Sequence, residues 1–102
     1  MRTKISETLI EMGLDPSLKG YTYIVEALMY MHENNVDLTK IRTYFLYENV
    51  ANRLGVEPKT VKASIGYANS KIIRTNPLTK QILGEVRKPT KYTLQLLYLR
   101  IR

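Results

Sequence analysis

Apolar residues recur along this chain at intervals of three and four, the spacing that gathers them on one face of a helix. Ile5, Leu9 and Met12, widened by Ile10, predict a helix over Thr3–Met12, with Gly13 as its stop. Asp15 and Pro16 read as the N-cap and first residue of a short turn ending near Gly20. Ile24, Leu28 and Met31, flanked by Tyr21, Val25 and Ala27, form the best stripe of the first half and predict a central core helix over Tyr21–Glu33. Asn34-Asn35 breaks it, and Asp37 or Thr39 stands ready to cap the next element. Leu38, Ile41 and Phe45, with Tyr44 beside them, form an apolar cluster leading into the next stretch.

That stretch, Leu46 to Ala68, carries the most specific pattern in the chain. Val50, Ala51 and Leu54 line the inner face of one helix, and Gly55 follows where the chain must turn and a positive φ is needed. Val56 returns the turn to the core. Glu57 and Pro58 open a second helix, where proline's missing N–H costs nothing. Val61, Ile65 and Ala68 face inward along it. Ala51, Gly55 and Val61, with Leu54 before the glycine, read as a helix-turn-helix with small Ala51 at the helix crossing, although any tight corner between helices shares these demands. The second helix is predicted from Pro58 to about Arg74. Such a helix commonly enters the DNA major groove, its first turns at base edges and its far end at the backbone. Lys59, Thr60 and Lys62 are therefore base-edge candidates. Arg53, Lys71, Arg74, Arg87 and Lys88 are candidates for phosphate contact. Gly66 costs about 1 kcal/mol relative to alanine in mid-helix, so it marks either a close approach to DNA or a bend. The hydroxyls of Tyr44 and Tyr47 reach phosphates or pack in the core, with packing expected for at least one.

Asn76-Pro77 ends the long helix, and Pro77–Leu83 predicts a short one stopped by Gly84. Glu85 to Pro89 is extended and sits where a wing-like loop would sit. Thr90 is the expected N-cap of a last helix, Lys91–Arg102. Tyr92, Leu94, Leu96, Leu97, Tyr98, Leu99 and Ile101 nearly encircle that helix. Either the fold covers both sides itself, or a second protomer or further domain covers the remaining stripe, for which Leu94, Leu97, Tyr98 and Ile101 are the candidate contacts. The expected fold is all-α, about six helices around the helix-turn-helix. Residues 1–102 form one domain, with the motif over about 46–74 and a packing or dimerisation helix over about 90–102.

Charge sharpens this picture. The net charge is +7, but residues 1–50 hold five Lys/Arg against seven Asp/Glu, while residues 51–102 hold eleven against two. The changeover falls at the helix-turn-helix, and a one-sided basic field suits a polyanion, DNA above all. A hydrophobic fraction of 44% is that of a folded protein. With no cysteine and one histidine, His32, neither disulfide nor metal chemistry is expected, and His32 is expected at the surface near a helix end. No cofactor is expected. Membrane spans and signal-peptide cores are missing from the pattern, so a cytoplasmic location is expected. No nucleophile–base set, carboxylate pair or phosphate-cradling glycine loop points to an enzyme.

Several segments, Leu18-Lys19-Gly20-Tyr21 with Tyr23 and Glu26-Ala27, Leu46-Tyr47 with Val50-Ala51, Val61 and Ile65, and Lys88-Pro89-Thr90, resemble the C-terminal DNA-binding effector domain of the master response regulator of endospore formation. The similarity runs from Ile5 to Ile101. It implies an all-helical domain, binding to double-stranded DNA, and transcriptional control in a spore-forming bacterium or one of its mobile elements. It also implies head-to-tail protomers on tandem sites. A contact with RNA polymerase is a separate expectation for the chain's partners. The family's full regulator carries a phosphoacceptor receiver domain. This chain, starting at Met1 with the effector domain, is expected to lack one. The family reads its DNA with arginines and a histidine. By position this chain offers Thr60, Ala63, Gly66 and Tyr67 there, which adds Ala63, Gly66 and Tyr67 to the base-edge candidates. Lysine lacks arginine's two-pronged fit to guanine, so the family's DNA sequence is not expected to carry over. The competing expectation is a protein-interaction module that keeps the fold but binds a regulator or polymerase subunit instead of DNA.

Overall fold

The computed structural model describes all 102 residues as six helices and no strand. They are α1 (Arg2–Glu11), α2 (Lys19–Asn34), α3 (Thr43–Leu54), α4 (Pro58–Ser70), α5 (Pro77–Leu83) and α6 (Thr90–Ile101). α2 is the hub and packs against α1, α3, α4 and α6. Its Ile24, Val25, Ala27, Leu28 and Met31 join other buried apolar residues in one cluster that draws on every helix.

Three helices end in the same way. Gly13, Asn35 and Gly55 take positive φ after α1, α2 and α3. The next residue's N–H then reaches back five positions, Leu14 to Leu9, Val36 to Met31 and Val56 to Ala51, at 3.0–3.1 Å. This closure pairs carbonyls that a helix end leaves free, and it folds an apolar side chain back onto the last turn. Leu14 and Val36 are buried, and Val56 packs partly buried against the core. α3, the three residues Gly55–Glu57, and α4 thus form the tight helical corner that the sequence predicts.

Several boundaries differ from expectation. Gly20 does not stop a turn. It is the second residue of α2, and a Cβ there would overlap the Ser64 carbonyl and lie 2.6 Å from the Ala68 Cβ. Gly20 lets α2 and α4 cross closely, a crossing separate from the α3–α4 corner where small Ala51 is buried. Asp37 caps only a turn, accepting from the Thr39 N–H at 2.9 Å and its hydroxyl at 2.6 Å, while α3 starts later without a side-chain cap. α4 stops at Ser70 instead of near Arg74. The chain turns there to bury Ile72, and the Asn76 side chain then anchors it by donating to the Glu11 carbonyl at 2.9 Å. The same Asn76 accepts from the N–H groups of Leu78 and Thr79, capping α5. Thr90 is the first residue of α6, not its cap, because Pro89 already holds the cap position.

Candidate nucleic-acid interface

α4 divides cleanly into two sides. Val61, Ile65, Ala68 and Asn69 are buried. Lys59, Thr60, Lys62, Ala63 and Tyr67 are exposed, Tyr67 to 55%. Gly66 lies between them half-buried, yet a Cβ built on it meets nothing within 4 Å. The six base-edge candidates therefore share one open flank, which no other part of the chain walls in. The helix continues through Gly66 to Ser70, and no neighbour fills the space a side chain would take there.

Two shallow depressions border this flank. One, of about 370 Å³, lies between Ser17–Gly20 at the start of α2 and Ala63, Ser64 and Tyr67 of α4. The other, of about 330 Å³, is lined by Tyr67 and Lys71 together with Gly13, Asp15, Leu18 and Ile73. Tyr67 stands at the border of both. The Lys71 ammonium lies 5.2 Å from the centre of its ring, a cation–π contact that keeps the charge beside the flank.

The five phosphate candidates separate. Lys71 and Arg87 are exposed, and Lys88 is half-buried. The Lys88 carbonyl accepts from the Asn69 amide of α4 at 3.0 Å, which joins the α5–α6 connection to this helix. Arg53 is otherwise engaged. Its guanidinium pairs with Glu33 at 3.2 Å and Glu26 at 3.6 Å and lies 5.8 Å from the Tyr30 ring centre. The acidic first half of the chain thus neutralises it. Arg74 is turned inward, with both terminal guanidinium nitrogens buried and no hydrogen-bond partner. A phosphate on the surface does not meet those atoms.

Leu94, Leu97, Tyr98 and Ile101 are corrected more sharply. All four are buried in the chain's own core, so they are not partner contacts. The outer side of α6 presents Tyr92 and Leu99 instead, beside a groove of about 560 Å³ lined by Arg87, Lys88, Pro89, Tyr92, Gln95 and Leu96. Of the two tyrosines of α3, Tyr47 is buried, which pushes its hydroxyl up to about 12, and Tyr44 is exposed. His32 is half-buried rather than at the surface, with its ring 4.6 Å from that of Tyr98. Burial, then the charges of Lys4, Arg102 and the N-terminal amine, lower its tendency to protonate.

Apolar periodicity alone does not single out the buried polar residues Glu26, Asn69, Thr79 and Thr93. Asn69 was visible in principle, because it follows Ile65 by four and so occupies an inward register on α4. Glu26 has no such mark, since its neighbours Val25 and Ala27 in the sequence point to other sides of the helix.

The family model described as sporulation initiation factor Spo0A C terminal matches residues 5–93, from α1 into α6. No solved structure matches the chain. The chain belongs to the Spo0A C-terminal family, whose members are DNA-binding domains of sporulation regulators rather than enzymes. No helix is long and apolar enough to cross a membrane.

Proposed function

We propose that this member of the family is a sequence-specific, double-stranded DNA-binding transcription regulator that lays the open flank of α4 in the major groove. The observation that carries this reading is the exposed row Lys59, Thr60, Lys62, Ala63 and Tyr67, with half-buried Gly66 among them, backed by a face packed into the core. Lys59 and Lys62 donate to base-edge acceptors, and the Thr60 hydroxyl donates or accepts. The Ala63 methyl suits the methyl of thymine, and Gly66 lets the backbone approach closely. Tyr67 closes the row at the backbone end. Lys71, Arg87 and Lys88 hold phosphates, while Arg53 is left out by its carboxylate partners and Arg74 by its burial. With roughly three phosphates neutralised, log K falls against log salt with a slope of about −3.

Pairing of protomers on tandem sites and a contact with RNA polymerase complete this reading. Exposed Tyr92 and Leu99 on α6, and Tyr44 and Phe45 on α3, supply apolar surface for them outside the α4 flank. Selection of bound duplexes from a random pool with the purified chain tests the proposal. One enriched motif, altered in Lys62→Ala, is expected. A pool that stays random, with no mobility shift at low salt, contradicts it and favours a protein-interaction module.

A further inference from the structure

Asn69 is a polar side chain where the α4 pattern calls for an apolar one, and only 5% of it is exposed. A buried amide without partners is costly. This one has two partners, on different segments. Its Nδ2 donates to the Lys88 carbonyl at 3.0 Å, and its Oδ1 accepts from the Thr93 hydroxyl of α6 at 2.8 Å. The chemistry fixes which way the amide points. A carbonyl can only accept, so the NH₂ group must face Lys88.

The segment held in this way has little else to hold it. From Glu85 to Lys88 the backbone makes no other hydrogen bond, Gly84 enters it at φ 79°, and Val86 is 71% exposed. Such a segment is mobile by default. Yet it carries Arg87 and Lys88, two of the three cations placed at the phosphate backbone. Bases and phosphates of one duplex stand in fixed relation to one another. A protein that reads both therefore gains affinity when its two contact surfaces are held in register beforehand.

We propose that Asn69 is a positioning residue for DNA binding, fixing the Arg87-Lys88 segment relative to the α4 flank through the Lys88 carbonyl. The inference rests on the DNA-binding reading of α4 and adds to it a residue that touches no DNA. Asn69 acts from the buried side of the recognition helix and sets where the phosphate clamp stands.

Asn69→Leu, uncharged and branched at the same atom, removes both hydrogen bonds. Thr93→Val removes only the bond to α6 and leaves the Lys88 tether. Affinity for the selected duplex is measured across a salt series for both, beside the wild-type chain and Arg87→Ala. Asn69→Leu is expected to flatten the salt slope by about one unit, as Arg87→Ala does, without changing the preferred site. Thr93→Val is expected to keep the wild-type slope. A wild-type slope in Asn69→Leu, or the same flattening in Thr93→Val, overturns the proposal. If Asn69→Leu does not fold, backbone relaxation of the wild-type chain without DNA decides. Val86, Arg87 and Lys88 as rigid as α4 support the tether, and free-loop motion there overturns it. Failure of the DNA reading itself looks different, since wild-type then selects no duplex or Arg87→Ala leaves the slope alone. The relaxation measurement still judges the tether in that case.

Discussion

Gly20 at the start of α2 lies so close to α4 that a Cβ there would overlap the Ser64 carbonyl and sit 2.6 Å from the Ala68 Cβ. A backbone carbonyl cannot rotate away as a side chain can, so the helices would have to separate. Gly20→Ala is expected to lower stability by about 1–3 kcal/mol, read as a fall in the thermal midpoint. Because the shift displaces α4, DNA affinity should fall further than the loss of folded protein explains.

Gly66 is the counter-example on the same helix. Nothing lies within 4 Å of a Cβ there, and the helix gains from alanine's higher propensity. Gly66→Ala is expected to raise stability by up to about 1 kcal/mol. If the DNA backbone or a base edge packs against this position, the same change lowers affinity. A more stable protein that binds less tightly would be seen by combining a melt with a binding titration.

Arg53 and Arg87 are both exposed, but they are predicted to behave differently. Arg53 is committed to Glu33 and Glu26, and Arg2 pairs with Glu26 at 2.6 Å from the other side. Glu26→Ala is expected to cost about 1–2 kcal/mol, less than a fully buried pair because both arginines are partly in water. Arg53→Ala should destabilise slightly and leave the salt slope of DNA binding unchanged, whereas Arg87→Ala should flatten it. The two slopes, measured side by side, check this.

His32 predicts a response to acid. Its protonation in the folded chain is disfavoured by burial against Tyr98 and by the charges of Lys4, Arg102 and the N-terminal amine, whereas the unfolded chain protonates near the ordinary value of 6.5. The unfolded state therefore binds the extra proton first. The stability due to a neutral His32 is present above that value and is lost as pH falls through the lower folded-state value. Urea unfolding between pH 8 and 5 should show this loss, and His32→Phe, which keeps a ring against Tyr98, should remove it.

These contrasts also mark what was legible in the sequence. The inner and outer faces of α4 were readable, since a helix that must bury Val61, Ile65 and Ala68 has only one flank left to expose. Gly13 and Gly55 were readable as helix closures, because they stand just past the last inward residue of each stripe. Gly20 was not. Glycine suits a stop and a close crossing equally, and the choice depends on Ser64, far along the chain. In α6 the stripe Leu94, Leu97, Tyr98 and Ile101 reads as one face. Periodicity says which residues share a face, not which face the fold covers, and the core took the one assigned to a partner. Charge counting could not separate Arg53 and Arg74 from Arg87, because their partners and burial are tertiary facts.

In the proposed complex α4 reads bases while the Arg87-Lys88 segment holds phosphates. That division of labour is measured by the affinities of Lys62→Ala and Arg87→Ala for the selected duplex and for a scrambled one. Lys62→Ala is expected to lower the ratio of the two affinities. Arg87→Ala is expected to lower both affinities by the same factor, leaving the ratio intact. Equal proportional losses on both duplexes from both substitutions would contradict it.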